Sequence, residues 1–169
     1  MHKLVSCLIF TLICVPALLH AETPIRQALF KIERNKNANI VQYDAQIGPD
    51  GKLLEKEPIV AYWVRLAEQG QVEQLSWVQK TFAYGFDVKL NRNKDTVELD
   101  MKIDIARPIS VQREGDEYRA TTRIDWSNSH IEKLFIHATG KGMSTRVDYI
   151  ELHGNEVKTG DERYEKLVP

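Results

Sequence analysis

Cysteine is scarce in this chain and poorly placed for any structural use. The only two, Cys7 and Cys14, fall inside the apolar run Leu4–Leu19. That run follows a short positive start, Met1-His2-Lys3, is broken by Ser6, Thr11 and Pro16, and ends before the small residue Ala21. These are the three parts of a secretory signal peptide. The run is shorter than the roughly 20 apolar residues a membrane-spanning helix needs, and charged sequence follows at once. The sequence therefore predicts a signal peptide over 1–21, cleaved after Ala21, a periplasmic or secreted product, and no stable membrane span after cleavage. Neither cysteine follows the run, so a lipid-anchored N-terminus is excluded. The mature chain would then carry no disulfide, no thiolate metal site and no cysteine nucleophile.

A charge excess of one sign is also missing. Lysine and arginine number 23 against 24 acidic residues, a net charge of −1, which excludes a nucleic-acid binder that relies on a basic field. Serine is sparse beyond the N-terminal run, and no Gly-x-Ser-x-Gly elbow occurs. Phosphate-loop and dinucleotide glycine patterns are absent, as are repeats and low-complexity stretches. Nothing calls for a cofactor. Metal binding would need a third ligand beside His130 and His153, which oppose one another only if the last hairpin stays regular, and neither Glu132 nor Glu151 completes the set.

What the chain does have is alternation. From Phe30 to His153 apolar and polar residues recur with period two, rich in Val, Ile, Tyr and Thr and punctuated by Gly, Asn and Asp. Strands are predicted near 29–34, 38–46, 58–66, 83–90, 96–105, 108–113, 117–125, 131–139 and 144–153. A single amphipathic helix is predicted between Gln71 and Phe82, where Val72, Leu75, Val78 and Phe82 recur at helical spacing. Residues 22–28 read as a tether, 29–155 as one β-rich domain and 156–169 as a loose tail. About eight or nine strands joined mainly by hairpins, with one short helix, predict a mainly β fold: an antiparallel barrel or a two-sheet sandwich.

Three hairpins can be set in register by keeping apolar residues on one face. Across 91–96, Leu90 opposes Val97, Val88 Leu99, Phe86 Met101 and Tyr84 Ile103. On the wet face this register opposes Lys89 with Glu98 and Asp87 with Asp100, the like charges offset by Lys102 on the diagonal. A second hairpin turns at Gly115-Asp116, glycine first, as strand twist prefers. A third turns at Lys141-Gly142, opposing Ala138 with Thr145, Ile136 with Val147 and Leu134 with Tyr149. That register leaves Ile150 and Leu152 on the other face.

The segment Phe30–Asp44 carries the pattern Arg34-x-Lys36-Asn37-x-Asn39-x-Val41-x-Tyr43, which resembles the opening motif of the DUF4833 family of bacterial proteins. Glu57–Trp63 and Phe82–Phe86 support the resemblance, which spans roughly 30–150. Asn35 stands where many members carry serine. The family has no assigned activity, so the likeness implies a bacterial, exported, single-domain protein and supplies no catalytic residues.

Two groups remain as candidate ligand-binding residues. Arg34, Lys36, Asn37 and Asn39 form the densest polar cluster; they suit an anion or a carbonyl ligand, or serve simply as strand-turn residues. Tyr43, Tyr62 and Trp63 suit a pocket wall or core packing. Adjacent strand residues face opposite sides, so Tyr62 and Trp63 cannot share one. Asp87, Asp100 and Asp104 alternate with lysines and read as a solvated sheet face. Three functions stay open: a non-enzymatic module binding a small ligand or an envelope partner; an envelope hydrolase whose site is assembled from separate strands; and a scaffold pairing through an edge strand.

Overall fold

The computed structural model describes residues 23–91, 96–141 and 144–169. Along the chain these form β1 (Ile25–Arg34), β2 (Asn37–Ile47), β3 (Ile59–Arg65), a 3-10 turn (Leu66–Glu68), β4 (Gln71–Gln74) and α1 (Trp77–Phe82). There follow β5 (Phe86–Asn91), β6 (Thr96–Met101), β7 (Ile109–Glu114), β8 (Glu117–Ile124), β9 (Ser127–Thr139), β10 (Arg146–Glu156) and β11 (Glu162–Leu167). All nine strands expected from alternation are present. Two more, β4 and β11, were not expected.

The strands join in the order β4-β3-β2-β1-β9-β8-β7-β6-β5, with β10 on the other edge of β9 and β11 outside β10. β9 organises this arrangement. Its first residues pair with β8, from Ile124–Ser127 to Thr121–His130. Further along the same edge it pairs in parallel with β1, from Lys31–Lys133 to Arg34–Ile136. Two strands sharing one edge force the sheet to curl. The result is a mixed sheet forming a half-barrel of nine strands, which corrects the expectation of a purely antiparallel barrel or two-sheet sandwich. The parallel contact joins residues about a hundred positions apart, and alternation carries no sign of strand direction.

The concave face holds the core. Phe30 stacks on Tyr43 with ring centres 4.5 Å apart, and the buried Tyr43 hydroxyl donates to the Tyr84 carbonyl at 2.7 Å. Ile32, Val41, Leu99, Ile109, Val111, Ile124 and Leu134 are buried around them. Each aliphatic side chain removed from water in this way contributes about 1.5–3 kcal/mol.

The 91–96 hairpin keeps the predicted register over its paired length: Leu90–Val97, Val88–Leu99, Phe86–Met101 and Asp87–Asp100 are partners, while Tyr84 and Ile103 lie beyond the paired strands. Its like-charge pair is offset from both sides, Lys102 reaching Asp87 at 2.5 Å and Lys89 reaching Asp100 at 2.5 Å. Its turn, 92–95, lies outside the described residues. The Gly115 turn also holds, with Gly115 at φ 64 and Glu114 opposite Glu117.

The third hairpin differs. Ala138 pairs with Val147, then an irregularity at Asp148 shifts the register so that Ile136 meets Ile150 and Leu134 meets Leu152. The extra residue turns Ile150 and Leu152 inward beside Ile136 and Leu134, where burial holds them. Of its predicted turn pair, Lys141-Gly142, Gly142 lies outside the described residues. His153 then opposes Lys133 and His130 opposes Asn155, so the two histidines do not meet.

The helix is shorter than predicted. Residues 71–74 are strand β4, and α1 begins after a capping box in which Ser76 and Gln79 satisfy each other's backbone amides. Of the four apolar positions only Leu75 is buried; Val72, Val78 and Phe82 are exposed. The supposed tether joins the sheet from Ile25, opposite Ile47. The supposed loose tail contains β11, which pairs with β10 from Ile150–Leu167 to Asn155–Glu162. β11 is pinned by the Arg107–Glu165 pair at 2.7 and 2.8 Å. Its high charge hid a half-buried edge strand.

Candidate functional site

The hairpin between β1 and β2 is built on Asn35 rather than on a left-handed residue: neither Asn35 nor Asn37 has positive φ. The Asn35 side chain donates to the Ala138 carbonyl at 3.2 Å and accepts from the Ala138 amide at 3.0 Å. Its own amide donates to the Ile136 carbonyl at 3.2 Å. The side-chain amide thus imitates a peptide group and extends the β1–β9 ladder by one step. This fixes the end of β1, and with it Arg34.

Arg34 falls on the concave face, two residues past the buried Ile32. Its guanidinium lies over Trp63 with the carbon 4.4 Å from the ring centre, and 5.5 Å from that of Tyr84. Nη1 donates to the Tyr84 hydroxyl at 2.7 Å and Nη2 to Asn37 Oδ1 at 3.1 Å. Nε is buried without a partner. Among the described residues no carboxylate lies within ion-pair distance of Arg34 or of Lys36, whose Nζ donates to the Gly140 carbonyl at 2.7 Å. Burial pushes the Tyr84 phenol up, with the Arg34 charge acting against it, so Tyr84 stays a neutral acceptor beside the guanidinium.

Arg34 stands at the mouth of a cleft of about 500 Å³ between the β9–β10 pair and the segments 82–84 and 102–104. Ile103, Ile136, Ala138, Val147 and Ile150 make its walls, Phe82 and Tyr84 border it, and Pro169 closes one side. Among the described residues its cationic side chains are Arg34, Lys36 and Lys102, the last already paired with Asp87. Among the described residues Asp104 is the one acidic side chain in the lining. Behind Arg34 a smaller, polar recess of about 200 Å³ is lined by Asn37, Asn39, Trp63, Arg65, Glu73 and Gln79. A larger concavity of about 680 Å³ runs along 55–61 and the exposed parts of β5. It mixes Arg26, Lys56 and Lys80 with Glu55 and Glu57, and so has no charge selectivity.

The fold therefore brings Arg34, Lys36, Asn37, Asn39 and Trp63 together and leaves out two of the predicted residues. Tyr43 is a core residue; burial pushes its phenol well above the ordinary range. Tyr62 lies on the opposite face of β3, its hydroxyl 2.5 Å from Asp44 and its ring under Arg26. Sequence reasoning missed Tyr84, Val147, Ile103 and Ile136. Tyr84 was legible as an apolar position, but its place beside Arg34 depends on the turn between α1 and β5.

Among the described residues no group of three or more metal-ligating side chains forms, and no helix is long and apolar enough to cross a membrane. The fold and cleft define a single curled-sheet domain with an open apolar cleft headed by arginine. A family profile described as a domain of unknown function, DUF4833, matches residues 30–166, and the chain belongs to that family. No curated protein and no solved structure matches it.

Proposed function

We propose that this protein is an exported, non-enzymatic β module that binds a small anionic ligand at Arg34. The observation that carries this reading is the half-buried guanidinium without a carboxylate partner. A buried charge normally demands pairing. Here the hydroxyl of Tyr84 and the amide of Asn37 orient the group without neutralising it, while Trp63 holds its plane. Such an arrangement is suited to a planar oxyanion arriving from outside. The hydrolase alternative has less support: in the His137–Asp148 and His153–Glu151 contacts, at 3.2 and 3.4 Å, the neighbouring hydroxyls of Thr139 and Tyr164 donate to the carboxylates and not to a histidine.

The N-terminal run Leu4–Leu19 supports export. Sequencing the N-terminus of protein recovered from the cell envelope is expected to begin at Glu22; an intact N-terminus would refute export. Binding is tested by titrating short carboxylates and inorganic phosphate while following Trp63 fluorescence in a background with Trp77 and Trp126 replaced by phenylalanine, with Arg34→Gln as the comparison. Saturable quenching in the wild type that is lost in the variant is expected. Equal responses of the two proteins would refute the site.

A further inference from the structure

The volume and lining of the cleft beyond Arg34 point to the rest of the ligand. We propose that the cleft takes an unbranched alkyl chain whose oxyanion head is held by Arg34: the ligand is a single-chain anionic amphiphile. This rests on the anion-binding reading above and extends it from the head group to the tail.

The polar inventory separates the two ends. Arg34 has five N–H donors, of which two are committed, one to Tyr84 and one to Asn37. Three therefore have no protein partner among the described residues. Lys36 adds a second unneutralised charge at the same rim. Past the rim the walls change character. Ile103, Ile136, Ala138, Val147 and Ile150 present hydrocarbon side chains, with Asp104 and Thr145 the polar side chains beside them. Against those five side chains a ligand tail with hydroxyls or amides would lose its water without replacement hydrogen bonds; a hydrocarbon tail would not. A volume of about 500 Å³ lies within the range of small-molecule sites.

The mouth fits the same reading. Phe82 lines the cleft yet is 70% exposed, and its ring meets that of Trp77, itself 72% exposed, edge-on at 6.0 Å. The capping box and the buried Leu75 and Tyr84 on either side hold α1 in place. The exposed aromatic pair therefore forms a fixed apolar lip, continuous through Phe82 with the cleft wall. A chain entering the cleft would pass over mainly apolar surface, while its head stays at the cationic rim.

The test is calorimetric titration of the full chain with straight-chain carboxylates of increasing length. Alkyl phosphates and the matching alkyl alcohols form parallel arms. Affinity is expected to rise about fourfold per added methylene until the cleft is full. The alcohols are expected to bind at least tenfold more weakly than either oxyanion. The carboxylate and phosphate arms identify which head Arg34 prefers.

If short oxyanions bind and added methylenes change nothing, the alkyl chain is refuted while the anion site survives. If nothing binds, both fall. If alcohols match the oxyanions, the head assignment is refuted. Val147→Trp should abolish the length dependence by filling the cleft. Should that variant fail to fold, a diazirine-bearing alkyl carboxylate on the wild type decides instead. Labelling is expected on peptides containing Ile136 or Ile150, and labelling confined to other strands would overturn the proposal.

Discussion

The guanidinium of Arg34 lies 4.4 Å from the ring centre of Trp63, and this contact joins the turn of one hairpin to the next strand but one. β1 and β3 are not neighbours in the sheet; β2 lies between them. The contact therefore spans the concave face at its open end. It gives Trp63 a cationic cover where the core reaches solvent, and gives Arg34 a rigid bed.

Replacing Arg34 by lysine keeps the charge but loses the planar stack and both oriented hydrogen bonds. A cation over a partly desolvated aromatic ring contributes up to about 2 kcal/mol. Arg34→Lys is expected to lower unfolding stability by about 1–2 kcal/mol and to alter Trp63 emission. Urea melts followed by circular dichroism check the first, with the midpoint falling and the slope unchanged. An unchanged midpoint would show that the stack contributes nothing to the fold.

Asn35 makes a sharper prediction, because its side chain does the work of a peptide group. Both of its amide atoms bond Ala138, so Asn35→Ala leaves an amide and a carbonyl on β9 without partners. The expected cost is about 1–3 kcal/mol. Asn35→Ser should cost a comparable amount, since one hydroxyl cannot reach both atoms. Amide exchange at Ala138 should quicken in both variants; protection unchanged from wild type would contradict the role.

Much of the sheet was legible in the sequence, and the reasons are local. The 91–96 hairpin could be registered because its apolar residues face one side without interruption and its charges pair on the other. The β9–β10 hairpin could not, since the irregularity at Asp148 flips the parity from Tyr149 to His153, where a second irregularity shifts it back. β11 was hidden because its burial alternates only between exposed and half-buried, which leaves charged residues at most positions. Of the candidate site, the Arg34–Asn39 cluster was readable as a dense polar group. Its depth was not, because Tyr84, Ile103, Ile136 and Val147 reach Arg34 only through the parallel β1–β9 contact and the curl it imposes.

The pairing of Arg107 with Glu165 fastens β11 to the turn before β7. Hydrogen bonds from Arg107, aided by the Asp125 amide, hold the Glu165 carboxyl below its ordinary value against the opposing effect of burial. A depressed folded-state value means the stability from this group is present above the ordinary glutamate range. It is lost as pH falls through the folded value. Glu165→Gln is expected to cost about 2 kcal/mol at neutral pH and to flatten the loss of stability on acidification. Exchange protection in β11 should fall first. A variant with the wild-type acid profile would place the pH dependence elsewhere.

Tyr62 and Asp44 give the corresponding test at alkaline pH. Asp44 is 4% exposed, and one of its oxygens is buried without a partner. The Tyr62 hydroxyl, at 2.5 Å, donates to the other. Burial, with this hydrogen bond and the carboxylate's charge, pushes the Tyr62 phenol up to about 12 from 10.0, with Arg26 acting against it. Because the folded value is raised, the unfolded chain releases this proton first, and stability falls as pH rises from the ordinary tyrosine value towards 12. Tyr62→Phe removes that slope, but at neutral pH it deprives Asp44 of its donor, an expected cost of about 1–3 kcal/mol. Ultraviolet difference titration should show one phenol fewer ionising near pH 12 in the variant. If the missing phenol instead titrates near 10, the Asp44 contact does not hold in solution.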